Sequence, residues 1–345
     1  MKSAILCATL IIFSGGLAFG QTYEVLYSFQ GENTDGAYPA GPLTLGSDGN
    51  LYGTTSDGGI VQSSVCGAGC GTVFRLSPNG DGSWTEAVLY DFCSSFNGQC
   101  LDGQDPQSEL TIDAQGNIYG TTFTGGNQPC IDYEDGCGTV FRLSPNPKSP
   151  NGMWTETVLY DFCSNLANYV CLDGYLPVGR LATDTGGNLY GATLAGGKGH
   201  DPSIFGGIVF ELSPGPTWSE TVLYNFCTKG QGKNCTDGTG PGGGVTFDRL
   251  GNLYGVAGGG SQENRQGGIV YKLVPSSNGW IETLYSFPSG GDGDCASPTG
   301  EVSLGRSGEV YGTLFYGGNG FGCVFRLRSN GTFEGTVPVA SRTGP

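Results

Sequence analysis

Apolar positions along the chain fall in short bursts separated by glycine, asparagine and aspartate, and the bursts repeat. The stretch "GNLYGTTSDGG" at Gly49 returns as "GNIYGTTFTGG" at Gly116, "GNLYGATLAGG" at Gly187, "GNLYGVAGGG" at Gly251 and "GEVYGTLFYGG" at Gly308. Each period carries four segments in fixed order. They are an "ELTID" type (Pro42 to Leu45, Glu109 to Asp113, Arg180 to Thr183, Val245 to Asp248, Glu301 to Leu304), the "LYGTT" type, a "GTVFRLS" type (Gly71, Gly138, Gly207, Gly268 and Gly322 onward) and a "WTETVLYDF" type starting at Trp84, Trp154, Trp218 and Trp280. Short length, β-branched and aromatic content and turn punctuation predict strands, and no segment has helical periodicity.

Four strands in a unit too small to bury its own faces predict blades stacked around an axis. The expected fold is all-β, a five-bladed β-propeller over residues 21–330, with a two-layer β-sandwich as the alternative. Crossover helices for a barrel or a dinucleotide fold are missing. The opening "TYEVLYSF", Thr22 to Phe29, is an unpaired copy of the fourth strand and is expected to close the last blade. A tail, 331–345, holds a second claimant, Thr332 to Ala340, disfavoured because Pro338 lacks a ladder N–H.

Lys2, the apolar run Ala4 to Phe13 and the small-residue site Ala18-Phe19-Gly20 read as a signal peptide over residues 1–20, so the mature chain is expected outside the cytoplasm. No later stretch has the length of a membrane span. A net charge of −16 argues against nucleic acid and anionic membranes as partners, because both require a basic face.

The combined units "LYGTT…GG…GTVF…VLYSF", from Tyr23 to Leu327, resemble the GloVer-type tandem repeat proteins of bacteria. The resemblance implies export and a propeller-like fold. Many relatives carry C-terminal envelope anchors, whereas this chain ends "VPVASRTGP".

Twelve of the 13 cysteines lie beyond the leader, an even number that predicts disulfides in an oxidising compartment. Zinc is disfavoured, for the chain has no Cys-x-x-Cys pair and a single histidine, His200. Cys93/Cys100, Cys163/Cys171 and Cys227/Cys235 fall in loops from fourth to first strands, and Cys66/Cys70 and Cys130/Cys137 in loops from second to third strands. Cys295 and Cys323 remain as the sixth pair. In a propeller all six share one face, where rigid loops carry binding functions.

Asp-Gly recurs in the fourth-to-first loops at Asp35, Asp102, Asp173, Asp237 and, distorted, Asp292. A ring of such carboxylates is a candidate for a sugar or for calcium, although Asp-Gly also makes turns unaided. The same turn reading covers Asp113, Asp184, Asp248, "NGDGS" at Asn79 and "GGDGD" at Gly290. The tryptophans, each ahead of Glu86, Glu156, Glu220 or Glu282, are expected to pack between blades. No nucleophile elbow or phosphate loop is present.

The expectation is a secreted, non-enzymatic module that binds a glycan or protein or serves as an envelope or matrix component, without a required cofactor or metal. One alternative is a carbohydrate-active enzyme, which requires acids that break the repeat pattern at the tunnel. The other is a polymer formed by exchange of the competing terminal strands.

Overall fold

The computed structural model describes residues 23–31, 34–60, 66–130, 135–146, 154–199, 206–231, 234–259, 267–277, 279–287, 295–317, 321–328 and 333–335. The signal peptide, His200, Asp292 and "GGDGD" lie outside these residues.

Each repeat folds into its own antiparallel sheet, with strands paired in chain order from the inside out. Sheet one joins the broken inner strand Gly36–Pro39 and Thr44–Leu45 to Leu51–Gly58, Thr72–Pro78 and Trp84–Asp91. Sheet two is Thr111–Ile112, Ile118–Thr122, Thr139–Pro145 and Trp154–Asp161, and sheet three is Tyr175–Thr183, Leu189–Ala195, Ile208–Ser213 and Ser219–Asn225. Sheet four has a broken inner strand, Thr239–Pro241 and Thr246–Phe247, then Leu253–Gly258, Ile269–Ser276 and Gly279–Ser286. Sheet five is Ala296–Leu304, Val310–Tyr316, Cys323–Leu327 and Phe333–Gly335. The arrangement is all-β and propeller-like, and two layers of a sandwich do not describe it. Among the described residues there is no helix, so none long and apolar enough to cross a membrane.

The repeated motif is a turn with its own lock. Asp113 accepts hydrogen bonds from the amide and side-chain nitrogens of Asn117 (both 2.8 Å) and from the Tyr119 hydroxyl (3.1 Å). Asp184 and Asp248 hold Tyr190 and Tyr254 in the same way, and in repeat one, where Gly46 stands at that position, Asp48 two residues on holds Asn50 and Tyr52. In repeat five Gly305 stands where the aspartate would be, and the Glu309 carboxylate caps the turn from the other side, accepting from the Ser307 amide.

Sheets bury their faces against each other. Tyr52, Val73, Leu89 and Phe92 of sheet one pack on Leu110, Ile118, Phe141 and Leu143 of sheet two. The same register joins sheets two and three, three and four, and four and five. At each seam the Phe that ends a fourth strand meets a third-strand ring of the next sheet edge-on. Phe92 and Phe141 have centroids 5.1 Å apart, Phe162 and Phe210 5.2 Å, Phe226 and Tyr271 5.1 Å, and Phe287 and Phe325 5.1 Å. Each such pair is worth about 0.5–1.5 kcal/mol beyond its burial. Trp154, Trp218 and Trp280, each at or beside the start of its fourth strand, pack into these seams.

The ends correct one expectation. The N-terminal copy does not close the last sheet: residues 23–31 belong to no strand, and Phe333–Gly335 takes the outer position, pairing with Phe325 to Leu327. A local hairpin reaches that edge with little loop-closure entropy. Pro338 lies outside the described residues. The N-terminal segment instead lies on sheet one, with Phe29 against Phe74 (4.9 Å) and the Tyr27 hydroxyl on Asp35 (2.6 Å).

Candidate functional site

Six disulfides close the loops on one face: Cys66–Cys70, Cys93–Cys100, Cys130–Cys137, Cys163–Cys171, Cys227–Cys235 and Cys295–Cys323. Bridges of second-to-third loops abut those of fourth-to-first loops, and the Sγ atoms of Cys66, Cys70, Cys93 and Cys100 all lie within 4.8 Å of one another. Beneath these bridges lie the Asp-Gly carboxylates. Asp102 accepts from the Tyr90 hydroxyl (2.7 Å) and the amides of Ser94 and Ser95. Asp173 takes Tyr160 and Asn165, Asp237 takes Tyr224, Thr228 and Lys229, and Asp35 takes Tyr27, Gln30 and Gly31. All four are buried. Geometrically they are loop staples rather than a ring open to ligand, because each already accepts from a tyrosine and loop amides; at Asp173 both bonds fall on Oδ2, and Oδ1 is buried without a hydrogen-bond partner. At Asp35 burial acts to raise the pKa, but the bonds from Tyr27 and the loop outweigh it and the pKa falls; at Asp102 and Asp173 burial wins and the pKa rises.

Near each staple sits the glutamate that follows the tryptophan. Glu86, Glu156, Glu220 and Glu282 hold one register, opposite Leu76, Leu143, Leu212 and Leu273. The Oε1 atom of each is buried without a hydrogen-bond partner. Burial, reinforced by the neighbouring aspartates, raises Glu86 to about 7 and Glu156 and Glu220 to about 8. In the seam between sheets three and four the Lys229 ammonium binds Glu282 directly.

A third cluster lies along the inner strands, where Arg180 and Glu301 sit at register shifts of their strands and Glu109 just ahead of Thr111–Ile112. The head of the first strand is Pro42, Glu109, Arg180, Gly244 or Glu301 in the successive repeats. The Arg180 guanidinium lies 3.8 Å from the Glu109 carboxylate and 3.6 Å from that of Glu301, which also accepts the Arg180 amide at 2.8 Å. Sheets two, three and five are thus braced together, past Gly244 of sheet four. Burial raises the Glu109 pKa, Arg180 opposing and Glu301 adding to the rise. These acids do break the repeat pattern. The sequence signal was present, in one register position holding four different residue types across five repeats, but a contact between residues so far apart is not readable from periodicity.

The face above the staples also carries exposed aromatics. Phe96 (44% exposed) lies inside the Cys93–Cys100 loop, and Tyr169 (86%) tips the hairpin Leu166–Ala167/Val170–Cys171 closed by Cys163–Cys171. Tyr169 and its neighbour Asn168 both have positive φ, so the tip is a tight left-handed turn. The turn "NGDGS" is an ordinary hairpin, with Asp81 accepting from Ser83.

The Gloeobacter/Verrucomicrobia repeat matches residues 12–205, more than half of the chain. The chain belongs to that repeat family. No curated protein matches it. Among solved structures it is similar to an α-L-arabinofuranosidase from Clostridium thermocellum (TM-score 0.42, 12% identity, 87% of this chain and 93% of that one). It is similar also to an endo-arabinase from Bacteroides thetaiotaomicron (0.40, 12%, 92% and 99%) and to a glucose dehydrogenase (0.42, 15%, 79% and 76%).

For this member of the Gloeobacter/Verrucomicrobia repeat family, the disulfides hold surface loops while the aromatic seams hold the sheets. The five short loops, with separations of 4 to 8 residues, gain only about 2–3 kcal/mol each from closure in the chain-entropy model. Reduction is therefore expected to leave the far-UV circular dichroism near its oxidised value and to speed amide exchange at residues 93–100 and 163–171. Global unfolding on reduction would contradict this division of labour.

Proposed function

We propose that the protein is an extracellular, non-enzymatic module whose five sheets are the blades of a propeller and whose stapled face binds a glycan. The observation that carries the reading is the presentation of Phe96 and Tyr169. Each is an exposed ring on a loop that a disulfide has already ordered, so little conformational entropy remains to be lost on binding. Flat rings of this kind stack on the apolar faces of sugars, and surrounding loop carbonyls and amides supply hydroxyl partners. The high cysteine content fits an oxidising compartment, and the strongly acidic charge favours neutral over anionic glycans.

The test is calorimetric titration of the oxidised mature chain with a panel of neutral polysaccharides and oligosaccharides, with product release followed in parallel. Saturable binding without products is expected, weakened about tenfold or more by Phe96→Ala or Tyr169→Ala, about 1.4 kcal/mol each. Unchanged affinity in both variants would remove the stapled face from the reading.

Glu109 and Glu301 support a second reading, a carbohydrate-active enzyme, since two carboxylates at the axis are the groups glycoside hydrolysis needs. Arg180 between them argues for a brace. Products that disappear with Glu109→Gln or Glu301→Gln would promote the enzyme.

A further inference from the structure

Four seams between sheets are built from the same parts, and the parts of a fifth are present at the two ends of the array. On sheet five, Tyr311 (36% exposed) and Val324 (61%) hold the positions of Tyr52 and Val73, which are buried in the first seam. Phe315 and Tyr316 beside them are exposed as well. On sheet one, Leu43 and Leu45 (69%) hold the positions of Leu110 and Ile112, which are covered by the preceding sheet. Each end therefore displays one half of an interface that the chain itself forms four times.

The N-terminal segment is already placed for that interface. Phe29 sits on Phe74 as Phe92 sits on Phe141, and Tyr27 bonds Asp35 as Tyr90 bonds Asp102. By its contacts it is the outer strand of a sheet that would precede sheet one. In its own chain the outer position of sheet five is held by Phe333–Gly335, so the segment has no sheet to complete.

We propose that the exposed face of sheet five docks on sheet one, with its N-terminal segment, of a second copy of this chain, giving head-to-tail assembly. The partner follows from complementarity: the face that fits Tyr311 and Val324 is the one that Leu110, Ile118 and Phe141 offer to Tyr52 and Val73, and sheet one carries the same positions. Docking between copies moves neither chain internally. Closing a single ring requires shifting sheets whose angles are set by four packed seams and by the Glu109–Arg180–Glu301 brace. A heterologous contact of this kind extends unless its rotation closes a ring of copies. The proposal adds self-assembly to the glycan reading and does not depend on it.

Two variants test it, each at a residue already exposed in the single chain. Val324→Glu disables the sheet-five face and Leu45→Glu the sheet-one face. Light scattering after size exclusion, over a wide concentration range, is expected to show the native chain growing past the dimer and each variant remaining a monomer. An equimolar mixture of the two variants is expected to form dimers and nothing larger, because one intact face of each kind remains. A native chain that stays monomeric throughout would overturn the proposal, as would oligomers indifferent to both variants or a mixture that remains monomeric. A monomer that still binds glycan would leave the binding reading standing alone.

Discussion

Raising the pH from about 5 to about 9 should lower the thermal midpoint of the folded chain by about 5–10 °C. The cause is the glutamate set at the seams. Glu86 titrates at about 7 and Glu156 and Glu220 at about 8 in the folded protein, against an ordinary value of 4.5. In each case burial is the main cause, and the aspartates facing the group add to it: Asp35 and Asp91 at Glu86, Asp102 and Asp161 at Glu156, Asp173 at Glu220. Between pH 4.5 and 8 the folded chain holds protons that the unfolded chain has released, so stability is greatest below that window and falls as pH rises through it. A tenfold difference in proton affinity between the folded and unfolded chains corresponds to about 1.4 kcal/mol. Partial solvent contact reduces the contribution to about 1–2 kcal/mol per glutamate. Asp91, Asp105 and Asp161 are raised by burial and act in the same direction at lower pH. Asp48, Asp184 and Asp248, lowered by the bonds from their turns despite burial, act oppositely, and their contribution disappears only on acidification. Differential scanning calorimetry in steps from pH 5 to 9 checks the slope. Glu156→Gln should flatten it and raise the midpoint at the alkaline end, and a midpoint that is level or rising for the native chain would refute the account.

That cluster also shows what the sequence does and does not reveal. The Asp-Asn-Tyr lock was readable because all its members lie within six residues, and recurrence of the spacing is enough to assign a turn. Five of the six disulfides were readable for the same reason: a loop of a few residues leaves a cysteine little choice of partner. The glutamates were visible as a repeated element but not as acids of raised pKa. Asp91 and Asp161 lie on the same strands as Glu86 and Glu156, but the burial that dominates the shift, and the approach of Asp102 to Glu156 and Asp173 to Glu220, arise only when one sheet stacks on the next.

The axial residues mark a harder limit. Pro42, Glu109, Arg180, Gly244 and Glu301 stand at the head of five otherwise similar strands, and such variation in a repeat ordinarily signals a solvated edge. Only the stacking of the sheets, with the register shifts of the inner strands at Arg180 and Glu301, brings Glu109, Arg180 and Glu301 together. The ends were ambiguous in another way. Residues 23–29 match the fourth-strand pattern better than the tail does, yet the tail reaches the edge of sheet five through a short hairpin. Sequence likeness measures fit to a position and is blind to the length of chain that must be closed to reach it.

Gly179→Ala is expected to cost about 3–5 kcal/mol. Two independent demands meet at this residue. Its φ of +71° lies in the left-handed region that side chains disfavour by about 1 kcal/mol. A Cβ there would also overlap the amide nitrogen of Gly244 and stand 2.5 Å from its Cα. Those atoms are backbone of the neighbouring sheet and cannot swing aside, so relief requires moving sheet three away from sheet four, against their packed seam. The adjacent Arg180 would move with it and draw its guanidinium away from Glu301. Gly49→Ala separates the two demands, because Gly49 has a φ of +81° and no atom within 4 Å of the added carbon. Its cost should therefore be the conformational part alone, about 1 kcal/mol. Urea unfolding of both variants measures the difference directly. If Gly179→Ala proves as mild as Gly49→Ala, the inner strands do not touch backbone to backbone, and the axis is wide enough for the Glu109–Arg180–Glu301 group to meet a ligand instead of bracing the sheets.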